Sequence, residues 1–146
     1  MGTVGDQVLY FEDVAEGDKA PERSRVLNRT DLVMYAGASG DYNPMHHDEV
    51  TAQAAGQPTV FGHGMFSMGL LGTAITDYVG VGNVRRFRVR FAKQTWPDED
   101  LRTAIVVTGK RTEGSDHLVD LDVRLNNGIG EEKVVGEATA VLPSRA

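Results

Sequence analysis

The spacing of hydrophobic positions changes near residue 83 of the chain. From there onward the pattern has a period of two, with mostly apolar side chains at the alternate positions of runs at 87–91, 103–107, 119–125 and 135–141. This alternation is typical of strands that bury one face and expose the other. Turn-rich segments separate the runs, and one of them contains Asn127-Gly128, a strong hairpin signal. The pattern therefore predicts an antiparallel sheet of at least four strands.

The segment from Met65 to Tyr78 has a different, helical spacing and is apolar nearly all round. A helix of this kind is normally buried. Its apolar stretches are shorter than the roughly 20 residues that a bilayer core requires, so we do not expect a membrane span. Packing this helix on the apolar face of the predicted sheet buries both, which indicates an α+β fold in one domain spanning 1–146.

The N-terminal half predicts shorter elements. A β-like run covers Val8–Phe11, and a second extended piece covers Ser24–Asn28. Thr30 is a good N-cap for a short helix, and Asp48 is a good N-cap for another. That second helix is expected to stop before residue 56, where glycine occurs.

Composition and charge narrow the classes of function. The chain has 146 residues, no cysteine and a net charge of −6. Without cysteine, neither a disulfide framework nor a thiolate nucleophile is possible. The negative charge argues against a protein that mainly neutralises nucleic-acid phosphates. The N-terminus lacks the basic-then-apolar layout of a secretory signal, so we expect a cytoplasmic protein.

The stretch 39–46 carries the residues best suited to chemistry. Asp41 and His46 lie five positions apart, and Gly40 and Pro44 favour a turn that is neither helix nor strand. Pro44 also stiffens this turn. A stiff turn with a carboxylate and an imidazole can direct both side chains to one point, as paired proton-transfer groups require.

Two segments resemble a known enzyme family. The segment from Tyr35 to His46 reads YAGASGDYNPMH, and the segment from Phe61 to Met65 reads FGHGM. The first resembles the hydratase-2 signature of the MaoC-like enoyl hydratases and dehydratases, and the second resembles that family's entry to its central helix. The resemblance covers about 17–142 and is strongest to the small catalytic subunits of actinobacterial (3R)-hydroxyacyl dehydratases. Met45, where the family usually has Ile, Leu or Val, is a mild departure.

The resemblance implies a fold, a reaction and a set of roles. The fold is a single hotdog domain, in which an antiparallel sheet wraps one long helix. The reaction is the interconversion of (3R)-hydroxyacyl and trans-2-enoyl thioesters. Asp41 and His46 are the implied acid–base pair, contacting one water; which of them delivers the Cα proton stays open. The backbone N–H of Gly64 is the implied donor to the thioester oxygen. No cofactor is expected, because coenzyme A or the phosphopantetheine arm of an acyl carrier protein belongs to the substrate.

Two residues near the motif have open roles. Asn43 either orients the Asp41–His46 pair, binds the substrate, or simply forms the turn. His63 either contributes to substrate binding or is a packed, hydrogen-bonded structural histidine, and we favour the structural role. Adjacent histidines rarely chelate one ion, so we expect no metal at His46 and His47 with His63.

Several arginines lie in and next to the first of the four predicted strands. Arg86, Arg88 and Arg90 alternate with apolar residues, and Arg85 stands next to them. A charged strand face is often only solvated. Alternatively, these arginines bind the phosphates of coenzyme A or the acidic surface of an acyl carrier protein.

Two other functions and two assembly states remain possible from the sequence. A hotdog thioesterase would direct water to the thioester carbonyl, and a non-catalytic subunit would only shape the acyl site of a heterodimer. The resemblance implies a homodimer with sheets joined edge to edge, or a heterodimer with a second hotdog subunit. We expect no nucleic-acid partner and no membrane partner. Acyl chain length is not encoded in any motif.

Overall fold

The protein folds as one antiparallel sheet against one long helix. The computed structural model describes residues 7–146, so the predicted domain of 1–146 is described from residue 7 onward, and its first six residues lie outside the description. The sheet has the spatial order β1-β3-β4-β5-β2, and all its pairs are antiparallel. The strands are β1 (Ser24–Val26), β2 (Val84–Phe91), β3 (Asp100–Glu113), β4 (Asp116–Asn126) and β5 (Glu132–Val141). The predicted α+β class and hotdog architecture are confirmed.

Three helices and two short 3₁₀ turns complete the structure. The helices are α1 (Arg29–Ser39), α2 (Glu49–Ala54) and α3 (Gly64–Val79), and the 3₁₀ turns cover Phe11–Asp13 and Pro44–His46. The predicted central helix is α3, one residue longer at each end. Within residues 7–146, no helix combines the length and the apolar character that crossing a bilayer demands.

The predicted alternation of apolar and polar residues is present in β4, and its apolar residues form part of the core. Leu121, Val123 and Leu125 are at most 1% exposed, and they belong to the same hydrophobic cluster as Leu71 and Ile75 of α3. The polar residues of β4 lie on the outer face. Asp120 forms an ion pair with Arg111 of β3, and Arg124 forms one with Glu132 of β5. The central helix is thus held by the burial of its apolar sides.

Two predicted details of the N-terminal half are wrong. Val8–Phe11 does not form a strand: the chain instead turns at Phe11, and Tyr10 N–H donates to the Asp13 carboxylate. The N-cap of α1 is Asn28 and not Thr30, because the Asn28 and Asp31 side chains each accept a hydrogen bond from the other's backbone N–H. This reciprocal pair is a capping box, which stabilises the earlier start.

The packing of β5 against β2 depends on a glycine. Gly136 lies opposite Val89 in the register. A Cβ at position 136 would overlap the carbonyl oxygen of Arg88 and lie 2.9 Å from the Cα of Val89. Both contacts are with backbone, so no side-chain rotation relieves them.

We expect Gly136→Ala to destabilise the fold by about 1–3 kcal/mol, because the two strands must move apart to admit the methyl group. The matched control is Gly109→Ala in β3, where the nearest atom to a Cβ is 3.8 Å away. Chemical denaturation of both variants checks the difference. Equal free energies of unfolding for both variants would contradict the close approach.

Candidate active site

The site begins where α1 ends. Gly40 has a φ of 75°, in the left-handed region that favours glycine, and its N–H donates to Ala36 O at 2.9 Å. The backbone then turns sharply, and Asp41 N–H donates to the hydroxyl of Ser39 at 3.1 Å. Asp41 is thereby presented on a turn, with its side chain half-exposed.

Asn43 and Pro44 fix the second part of this turn. The Asn43 side chain accepts from Met45 N–H at 3.1 Å, and Asn43 N–H donates to the Asp41 carboxylate at 3.2 Å. Pro44 opens the 3₁₀ turn that ends at His46. Asn43 therefore forms the turn with its side chain and orients Asp41 through its backbone. Its contact with substrate stays a prediction.

His46 is buried and its orientation is set by one strong contact. Its Nδ1 lies 2.6 Å from the carbonyl oxygen of Phe61. Because a carbonyl only accepts, Nδ1 carries the proton and Nε2 is left as the acceptor. Nε2 lies 3.9 Å from the nearer carboxylate oxygen of Asp41. This distance is too long for a direct hydrogen bond, and it suits a water oxygen about 2.8 Å from each group.

His63 supports both members of the pair. Its ring stacks on the ring of His46, with centroids 3.9 Å apart and planes inclined by 27°. Its Nε2 donates to the backbone carbonyl of Asp41 at 3.1 Å. The residue is 1% exposed, and burial is the main cause that lowers its pKa below the ordinary value. These contacts are those of a structural histidine.

The geometry of this group does not suit a metal ion. Asp41, His46 and His63 each offer a ligand atom, and the three atoms lie within 4.8 Å of one another. The stacked rings of His46 and His63 lie in planes inclined by only 27°, so lone pairs in these planes converge poorly on one ion. His47 faces elsewhere, with its Nε2 3.1 Å from the carbonyl of Tyr42.

The start of α3 lies beside the pair. His63 is its N-cap residue, and the His63 side chain makes no capping bond. Gly64 is the first helical residue, so its N–H has no partner within the helix. A Cβ at Gly64 would lie 3.3 Å from the ring of Phe91, and one at Gly62 would overlap the hydroxyl of Thr95. The two glycines therefore let this segment lie close to the β2–β3 connection.

A cavity of about 310 Å³ opens next to Gly64. Phe61, Phe91 and Val134 are apolar residues of its lining, and Ser67 and Thr95 are buried hydroxyl-bearing residues of the same lining. Asp41 and His46 are not in its lining. The sequence did not indicate Ser67 or Thr95, because only the folded approach of β2 to α3 brings them together.

The arginine row lies away from this site. Phe87 and Val89 pack towards the core, so the arginines between them face the outer side of the sheet. Arg86 and Arg88 lie 3.5 and 3.0 Å from the carboxylate of Glu137. Among residues 7–146, Arg90 has no acidic group within ion-pair distance. The structure does not bring these arginines to the Asp41–His46 pair, and their contact with a carrier stays a prediction.

Comparisons with known proteins add a family and several relatives. The family described as "MaoC like domain" matches residues 11–128. An (R)-specific enoyl-CoA hydratase from Rhodospirillum rubrum is 29% identical over 138 residues, which cover 93% of each chain. The 3-hydroxyacyl-thioester dehydratase Y of Mycobacterium tuberculosis is 36% identical over 93 residues, which cover 60% of this chain and 32% of that protein.

Among solved structures, the R-hydratase PhaJ1 of Pseudomonas aeruginosa is similar, with a TM-score of 0.80 and 28% identity. The similar region covers 93% of this chain and 86% of the hydratase. Thus the similarity extends over most of the chain, and not only over the short motif.

We expect the pKa of His63 to lie below 6.5, its ordinary value, and the neutral imidazole to carry its proton on Nε2. Since burial lowers the pKa, the unfolded chain takes up this proton first as the pH falls. The stabilising contribution of a neutral His63 is therefore complete above pH 6.5 and is lost as the pH falls through the lower, folded-state pKa. Imidazole ¹⁵N NMR checks the charge state, with urea-unfolded protein as the reference. A His63 that titrates at or above pH 6.5 in the folded protein would be inconsistent with its burial.

Proposed function

The chain belongs to the MaoC-like domain family, and we propose that it is a hydro-lyase that interconverts (3R)-hydroxyacyl and trans-2-enoyl thioesters through Asp41 and His46. One observation carries the assignment of residues. The Asp41 carboxylate and His46 Nε2 lie 3.9 Å apart, beside the N-terminus of a buried helix.

Hydration of an enoyl thioester needs a base, an acid and a hydrogen-bond donor to the thioester oxygen. The base takes a proton from water while the water oxygen bonds to Cβ, and the acid delivers a proton to Cα. Asp41 and His46 supply these two functions, and dehydration is the reverse path. Because Nδ1 of His46 is held by Phe61 O, only Nε2 faces the reacting atoms.

The thioester oxygen gains negative charge when water adds to Cβ. Gly64 offers an N–H at the positive end of α3, which is 16 residues long. A preorganised donor of this kind contributes about 3 kcal/mol to an acyl-group transition state. We therefore assign to Gly64 the role that the resemblance implies, and its lack of a side chain leaves room for the thioester.

The substrate and assembly proposals follow from the same reading. The acyl group is carried by coenzyme A or an acyl carrier protein, and no separate cofactor takes part.

The edge of β2 opposite β5 has no strand partner among the described residues. Pairing this edge with a second copy gives a homodimer and satisfies its backbone groups. A heterodimer with another hotdog subunit is the alternative, and cytoplasmic residence remains a prediction.

We expect Asp41→Asn and His46→Gln each to lower the hydration rate of crotonyl-CoA by about 10²–10⁴-fold, because each removes a proton-transfer group. The loss of ultraviolet absorbance of the conjugated thioester measures the rate. The control is His47→Gln, since His47 is exposed and turned away from the pair.

The same samples separate the rival functions. If the parent protein releases free coenzyme A from crotonyl-CoA and leaves the carbon–carbon double bond intact, it acts as a thioesterase. Unchanged hydration in both variants would remove Asp41 and His46 from the mechanism. Circular dichroism of each variant shows whether a loss of rate reflects unfolding.

We expect Arg90→Gln to raise the KM for crotonyl-CoA several-fold and to leave kcat within twofold, if Arg90 binds a carrier phosphate. Steady-state kinetics at low ionic strength measures both constants. The matched control is Arg111→Gln, because Arg111 is bonded to Asp120 and Glu113 on another part of the sheet. A KM unchanged by Arg90→Gln would leave the arginine row as a solvated surface.

A further inference from the structure

Ser67 is a buried serine whose hydroxyl is not used by the protein. It is 2% exposed, and its Oγ has no hydrogen-bond partner anywhere in residues 7–146. A serine or threonine in a helix can donate to the carbonyl four residues earlier, or it can point out to solvent. Thr73 donates to Gly69 O at 3.0 Å, and Ser39 donates to Tyr35 O at 2.7 Å. At Ser67 the corresponding carbonyl, that of His63, accepts only the Ser67 backbone N–H, at 3.3 Å.

The position of Ser67 places its hydroxyl beside Gly64. The two residues are three apart in α3, and residues at this spacing lie on one helix face. Side chains in a helix also lean towards its N-terminus, so the Ser67 side chain leans towards the first turn. Both residues line the same cavity. Gly64 and Ser67 therefore border a common space.

We propose that Ser67 is a second hydrogen-bond donor to the thioester oxygen, acting together with the N–H of Gly64. The inference rests on the proposed hydratase function and adds a catalytic residue to it. The hydroxyl donates a hydrogen bond and transfers no proton, so the bonds made and broken in hydration are unchanged. Because the charge on the oxygen grows towards the enolate, the bond strengthens in the transition state and raises kcat.

Thr95 provides an internal comparison. Its Oγ1 is also buried, also without a partner in the described part of the chain, and also in the lining of the cavity. However, Thr95 lies on the connection after β2, and its hydroxyl packs against Gly62 rather than over the first turn of α3. If the cavity only needed polar walls, loss of either hydroxyl would have the same effect on catalysis. If the thioester oxygen accepts a bond from Ser67, only the loss of the Ser67 hydroxyl lowers kcat.

The kinetic experiment compares Ser67→Ala, Ser67→Thr and Thr95→Val in crotonyl-CoA hydration. Ser67→Ala is expected to lower kcat by about 10–10²-fold, with KM within threefold of the parent. Ser67→Thr keeps a hydroxyl at the same place and is expected to retain most of kcat. Thr95→Val is expected to leave kcat within threefold. Equal losses for Ser67→Ala and Thr95→Val would overturn the proposal.

A spectroscopic experiment tests the bond itself. A bound 4-dimethylaminocinnamoyl-CoA absorbs at longer wavelength when donors polarise its thioester carbonyl. We expect Ser67→Ala to reduce this red shift at saturating probe and Thr95→Val to preserve it, an effect that loss of packing alone does not produce. A full red shift with Ser67→Ala, or a raised KM with unchanged kcat, would mean that Ser67 does not contact this oxygen.

The outcomes separate this inference from the function on which it rests. If Asp41→Asn removes hydration while Ser67→Ala does not, the hydratase function stands and the role of Ser67 is wrong. If the parent protein does not hydrate crotonyl-CoA, the proposed function fails for this substrate, and the probe spectrum still reports on the donors.

Discussion

Two imidazole–carbonyl hydrogen bonds join the Asp41 turn to the start of α3, and the geometry of the site depends on them. His46 donates to the carbonyl of Phe61 at 2.6 Å, and His63 donates to the carbonyl of Asp41 at 3.1 Å. The stacked rings lie between two segments that are distant in sequence. Each bond fixes one tautomer, so the nitrogen that faces the substrate is determined by backbone rather than by another side chain.

The segment containing Phe61 and His63 is held in turn by the β2–β3 connection. Gly62 N–H donates to the carbonyl of Thr95 at 2.8 Å. That connection is anchored by Lys133, whose fully buried ammonium contacts Glu99 at 2.8 Å and the carbonyl of Gln94 at 2.9 Å. A buried charge with these partners ties the connection to β5, because losing any one partner leaves the ammonium poorly satisfied. The acid–base pair is thus positioned by a series of contacts that runs from the Asp41 turn through the start of α3 to β5.

Much of the fold and the core of the site could be predicted from the sequence. The alternation in β4 and the apolar length of α3 determine which faces meet, and Pro44 with Gly40 defines the turn. The remaining features depend on contacts that no local pattern carries. In the sequence, Thr30 is as suitable an N-cap residue as Asn28, and only the structure shows that Asn28 forms the capping box. Val8–Phe11 has strand-forming residues but pairs with no neighbouring strand. Ser67 lies three positions after Gly64 in the predicted helix, but only the folded structure shows that its hydroxyl is buried and without a hydrogen-bond partner in residues 7–146.

The central claim is that one substrate contacts Asp41, His46 and the N-terminus of α3 at once. The most direct test is a crystal structure of the inactive Asp41→Asn protein with crotonyl-CoA bound. The account predicts the thioester oxygen within hydrogen-bond distance of Gly64 N, with Cβ of the alkene facing Nε2 of His46. A thioester bound elsewhere, with the Asp41–His46 pair facing only solvent, would contradict it.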